Sequence, residues 1–174
     1  LGYKSGEFHG FSGFVEVEDV HDLGDGEYNN KVDGDAAYSV IADPDDMEIN
    51  QVYLQYNGFD TEFKLGRQEL TYRGAPFHRY IGTVLWRQNH QSFDAFSFTN
   101  SSLADTKINY AYLNKRNTIT GTTADMDSHL INLQYTGLSM GKFEGYGYFL
   151  DFEDAPASAT KTIGVRLSGG QAVS

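Results

Sequence analysis

Apolar and polar residues alternate with a period of two through most of this chain. In residues 107–116, Ile108, Tyr110 and Tyr112 fall on one side, and Lys107, Asn109, Ala111 and Lys115 fall mostly on the other. In residues 51–57, Val52, Leu54 and Tyr56 oppose Gln51, Gln55 and Asn57. In residues 128–137, Ile131, Leu133 and Tyr135 oppose Asn132, Gln134 and Thr136. In residues 144–152, Tyr146, Tyr148, Leu150 and Phe152 oppose Gly145, Gly147 and Asp151, which predicts that both glycines point to the polar side. A strand carries this pattern when one face is apolar and the other is wet. Helical spacing is not sustained anywhere, and no capping box precedes an apolar periodic run. The pattern predicts strands over 1–5, 11–21, 48–57, 61–70, 91–99, 106–117, 128–136, 143–153 and 162–169.

The connections between these strands alternate in length. Residues 6–10, 57–60, 100–105 and 137–142 make short turns, while 22–47, 71–90 and 118–127 make longer loops. Short turns at one end and long loops at the other describe an antiparallel up-and-down meander. Two all-β architectures fit. A soluble β-sandwich buries its apolar faces between two sheets. A transmembrane outer-membrane barrel turns them to lipid and keeps polar residues in the lumen. Strands of about 9–11 residues, polar faces of Asn, Gln, Thr, Lys and Gly, and tyrosine-rich apolar faces favour the barrel. A sheet in lipid must close, because an open edge leaves backbone groups unpaired. The first and last strands look truncated and the chain opens on Leu1, so a single domain over 1–174 that is part of a larger barrel is expected.

Composition supports strands over helices. There are 12 Tyr, 12 Phe and 19 Gly but only 3 Pro among 174 residues. With no cysteine, disulfides and thiolate metal sites are excluded. The net charge of −11 is concentrated in one place. Residues 16–48 hold half of the 24 acids, with Lys31 the single Lys or Arg among them. A nucleic-acid partner would need a basic face, and none is evident. The acidic stretch lacks the spacing and closing Glu of an EF-hand, so a solvated loop is preferred to a calcium site. Glu16 and Glu18 stand apart from it. They lie opposite Val15 and Val17 in a strand and are expected to line the polar side. The five histidines, His9, His21, His78, His90 and His129, show no metal-binding spacing. No nucleophile elbow or phosphate-cradling glycine loop is present, so neither an enzyme nor a cofactor is expected.

Positive charge is concentrated in residues 64–87. Lys64, Arg67, Arg73, Arg79 and Arg87 stand there against Glu69, beside the chain's single tryptophan, Trp86. Four elements run in order through this region. They are Leu65-Gly66-Arg67-Gln68, Arg79-Tyr80-Ile81-Gly82, Trp86-Arg87-Gln88-Asn89 and Ser92-Phe93-Asp94-Ala95. Their order and spacing resemble the alginate-export-like family of outer-membrane porins over about residues 64–95. The resemblance implies a single-chain barrel of about 16–18 strands, monomeric, in a Gram-negative outer membrane, of which this chain is under half. It also implies passage of small polar or anionic solutes, acidic saccharides among them. Arginines on a long loop folded into a lumen would meet focused field lines and offer planar donor forks to carboxylates. Such rings of cations make pores anion-selective. Trp86 would wedge the loop against the wall or stack on Arg87 or a sugar. The bland alternative is that these arginines pair with acids on facing strands. Glu16 and Glu18, facing them, would set a transverse field.

Overall fold

The computed structural model describes residues 1–24, 27–72 and 81–170. They form nine strands: β1 (Gly2–Lys4), β2 (Phe11–Val20), β3 (Asp46–Gly58), β4 (Thr61–Gln68), β5 (Ser92–Asn100), β6 (Thr106–Asn117), β7 (Thr123–Leu138), β8 (Gly141–Leu150) and β9 (Thr160–Ser168). Each pairs antiparallel with its sequence neighbours in one sheet of order β1 through β9, so β1 and β9 are its edges. A single 3-10 turn, Pro156–Ser158, interrupts the meander. Among the described residues there is no second sheet to complete a sandwich. No described helix is long and apolar enough to cross a membrane, which says nothing of a crossing by strands.

Registers sort the side chains into two faces. On the outer face Leu54 is level with Leu65, and Leu65 with Phe96. Further along, Tyr110 is level with Ile131. Leu54, Leu65 and Ile131 remain 47–61% exposed, and Ile163 and Val165 on β9 more so. No described residue covers this face. Near the short turns an aromatic row crosses it from strand to strand. Phe11 meets Tyr56 at 4.7 Å between ring centroids, Tyr56 meets Phe63 at 6.2 Å, Phe63 meets Phe98 at 6.1 Å and Phe98 meets Tyr110 at 5.5 Å. Tyr135 and Phe143 continue the row by pairing across β7 and β8.

The inner face is covered in its half nearer the long loops. Phe93, Ala95, Ala111, Leu113, Leu130, Tyr148 and Leu150 are buried there, and Leu70 and Ile81 of the β4–β5 connection pack on them. The described parts of this connection, residues 69–72 and 81–91, therefore fold inward over the sheet instead of standing out from its rim. Small residues make room for them: Ala95 and Ala111 are level with Gly66 and Ser97 on the neighbouring strands.

Observed strand ends fall within two residues of the expected ones, with two exceptions. β7 begins at Thr123, so the loop expected over 118–127 shrinks to 118–122. Its first turn pairs with β6 across a bulge, where Lys115 meets Asp125 at 3.1 Å. The polar run TADMDS carries no alternation that would reveal this pairing. β8 ends at Leu150 rather than 153, and its faces are the reverse of those expected. Tyr146 and Tyr148 point inward, while Gly145 and Gly147, level with Leu133 and Ile131, lie on the outer face. The inward segment explains the reversal, because Tyr72 stacks on Tyr148 at 6.5 Å and supplies the apolar partner that this face otherwise lacks.

An arginine at Leu54 should cost about 2–4 kcal/mol if this position lies near a bilayer midplane. Denaturant unfolding of the complete protein from lipid vesicles measures it. An arginine replacing inner-face Thr99 serves as the control and should cost far less.

Candidate functional site

The polar half of the inner face is a cross-strand ladder of buried amides and carboxylates. Asn109, Asn132 and Glu144 are 6%, 0% and 0% exposed. Asn109 Nδ2 donates to Asn132 Oδ1 at 3.2 Å, and Asn132 Nδ2 donates to Glu144 Oε1 at 3.0 Å. Arg166 Nη2 closes the ladder on Glu144 Oε2 at 2.6 Å, with Lys142 Nζ at 3.6 Å. Nearer β4, Ser97 Oγ donates to Gln68 Oε1 at 2.6 Å, and Gln55 Nε2 donates to Glu62 Oε2 at 2.8 Å. Buried polar groups satisfied in this way hold a wall rigid. A cleft of about 180 Å³ lies between this wall and the root of the inward segment, lined by Glu62, Lys64, Asn109, Leu70 and Tyr72. Burial pushes the Tyr72 hydroxyl well above the ordinary tyrosine range, with Tyr148 adding to the effect, so it stays a neutral hydroxyl.

Those basic residues singled out by sequence that are described, Lys64, Arg67 and Arg87, do not gather at one point. Lys64 is on the inner face, 3.2 Å from Glu62 and with its ammonium 5.1 Å from the Tyr53 ring centroid. Arg67 shares the outer face with Leu65. Its Nε is 2.8 Å from Asp94 Oδ1, and its Nη1 donates to the Ile49 carbonyl. This position near the strand end, with an ion-pair partner alongside, accounts for an arginine on an apolar face. Arg87 lies on the inward segment and reaches Asp43 of the β2–β3 loop at 3.6 Å. Trp86, beside it, is half-exposed. Arg73 and Arg79 lie outside the described residues. Each of the three described cations is thus paired with an acid. Glu16 and Glu18 share the face of Gln51, and they meet Asn50, Gln51 and His90 rather than the arginines.

The first and last motif elements prove to be neighbours in space. Gly66, Arg67 and Gln68 are level with Ala95, Asp94 and Phe93 across β4 and β5. Gly66 has a φ of +127°, and a Cβ there would run into the Val52 carbonyl oxygen, so glycine is required. Ile81 is buried, and Gln91 Nε2 donates to the Gly82 carbonyl at 2.9 Å. The Gln88 backbone N–H donates to Asp43 Oδ1 at 2.9 Å, and buried Asn89 Nδ2 donates to the Pro44 carbonyl at 3.1 Å.

With this geometry established, the chain can be set against known proteins. Among solved structures it is similar to the crystal structure of Pseudomonas aeruginosa OccD3 (OpdP), an outer-membrane porin, with a TM-score of 0.55 and 18% identity. The fold is that of an outer-membrane β-barrel. The likeness covers 82% of this chain and 34% of the porin chain, so the nine strands span about a third of that protein's length. No family model and no curated protein matches the chain. In such a barrel the bare outer face meets lipid and the inner face meets the lumen.

Sequence reasoning missed two features. Glu144 and Arg166 are 22 residues apart and each looks like an ordinary strand charge. His90, Glu69, Glu18 and Asn50 come together only through the fold. Replacing Glu144 with Gln should cost about 1.5–3 kcal/mol, because it removes a charged acceptor from Arg166. Unfolding of the complete protein from vesicles reads this loss.

Proposed function

We propose that this chain forms part of an outer-membrane channel through which small polar or anionic solutes diffuse. The observation that carries the reading is the inward course of residues 69–72 and 81–91. They lie on the inner side of a sheet whose outer side is apolar and uncovered among the described residues. A segment held against the inner wall sets the width of an aqueous path, and its charges act where low-dielectric walls focus the field. Lys64 and Arg87 bring cations to this region, and Arg73 and Arg79 belong to the same basic stretch. Glu16 and Glu18 add negative charge to the same inner face from β2, so a solute would cross a transverse field. The four-part resemblance to the alginate-export-like porins extends the proposal to acidic saccharides. Closure of the sheet requires strands that pair with β1 and β9. The complete protein is proposed to act as a monomer.

The test is a planar-bilayer recording of the complete protein under a salt gradient. Replacing Arg79 and Arg87 with Gln should move the reversal potential toward the cation's equilibrium value, helped by the Asp43 carboxylate that Arg87 leaves behind. An unchanged reversal potential would exclude these arginines from the conducting path.

A further inference from the structure

Where the inward segment leaves and rejoins the wall, four strand or segment residues converge. Glu69 follows β4, His90 precedes β5, Glu18 lies on β2, and Asn50 is the bulged residue of β3, skipped where Gln51 and Ile49 pair with Glu16 and Val17. His90 Nδ1 is 2.9 Å from Glu69 Oε1 and 3.0 Å from Glu18 Oε1. One donor atom from each of these three residues lies within 4.8 Å of the other two. The Asn50 amide ends inside the same group, with Nδ2 at 2.9 Å from Glu69 Oε1, 3.2 Å from Glu18 Oε1 and 3.1 Å from Glu16 Oε2.

Asn50 is fully buried, yet its Oδ1 has no hydrogen-bond partner. A buried amide oxygen without a partner costs about 1–3 kcal/mol. Half a turn of the amide, whose two ends have the same shape, brings Oδ1 to where Nδ2 now sits. Against carboxylates alone that orientation is repulsive. Around a cation it completes a set of two carboxylate oxygens, one imidazole nitrogen and one amide oxygen.

We propose that Glu18, Glu69, His90 and Asn50 bind a divalent first-row transition-metal ion, of which Zn²⁺ is the type. Nitrogen and oxygen donors in this mixture suit such ions. Neighbouring ligands of a tetrahedral zinc at ~2.0–2.1 Å are about 3.3 Å apart, close to the 2.9–3.2 Å separations here. Outer contacts already orient the ligands. The His90 backbone N–H donates to Glu18 Oε2 at 3.0 Å, the Glu69 backbone N–H donates to Gln51 Oε1 at 3.2 Å, and Gln51 Nε2 donates to Glu16 Oε2 at 2.7 Å. With the metal bound, Nδ1 of His90 is the ligand and Nε2 carries the proton. The ion would fasten both ends of the inward segment to β2 and β3. This proposal does not depend on which solutes the channel passes.

Calorimetric titration of the complete, EDTA-stripped protein in detergent with ZnCl₂ tests it. One saturable site is expected, and H90Q and E69Q should each weaken it by more than about tenfold, since even outer-shell losses cost 10–100-fold. H21N should leave the affinity unchanged, because His21 sits apart, beside Asp19 at 3.0 Å in the acidic stretch. X-ray absorption of the zinc-loaded wild-type protein needs no variant, and should show a nitrogen and oxygen shell with scattering from one imidazole. Absence of saturable binding overturns the proposal and leaves a metal-free hydrogen-bonded clamp. So does binding that survives H90Q and E69Q, binding lost in H21N, or a shell with no imidazole or with two.

Discussion

A strand that crosses hydrocarbon has no water to satisfy its backbone, so every N–H and C=O must be met by the strand beside it. The rest of this structure depends on that constraint. It forces antiparallel ladders from β1 to β9, interrupted only locally by bulges. Pleating of those ladders then sends successive side chains to opposite solvents. The same geometry that pairs Leu54 with Leu65 and Leu65 with Phe96 on the lipid side sets Gln55 beside Lys64 and Lys64 beside Ser97 on the other. The aromatic row from Phe11 to Tyr110 marks where the lipid-facing band gives way to the short turns.

This chemistry made most of the fold legible in the sequence. Period two gives the strands, and loop asymmetry gives the meander. Legibility ended where a face acquired a partner from elsewhere in the chain. Tyr146 and Tyr148 look lipid-facing by hydrophobicity, but they point inward because Tyr72, more than 70 positions earlier, covers them. The site was less legible. The basic stretch could be seen, but the carboxylates that pair with it lie 2, 27 and 44 residues away at Glu62, Asp94 and Asp43. The cluster of His90 with Glu18 and Glu69 joins three regions that only the register brings together.

The motif elements that suggested a pore have a structural explanation of their own. Gly66 accepts a backbone that a side chain would clash with, and Gln68 ties the start of the inward segment to Ser97 and the Ala95 carbonyl. Asp94 serves both Arg67 and Asn117, and Asn89 fixes the far end to the Pro44 carbonyl. These residues fix both described ends of the segment against the wall.

One of these ties reaches further than the wall. Arg87, Gln88 and Asn89 all hold the end of the β2–β3 connection at Asp43 and Pro44. That connection belongs to the long-loop rim, the side such barrels turn to the outside world. The rim and the inward segment are thus tied together. A molecule that grips the rim from outside, an antibody for instance, would pull on the inward segment itself, so the inner side of the sheet can be addressed without anything entering it.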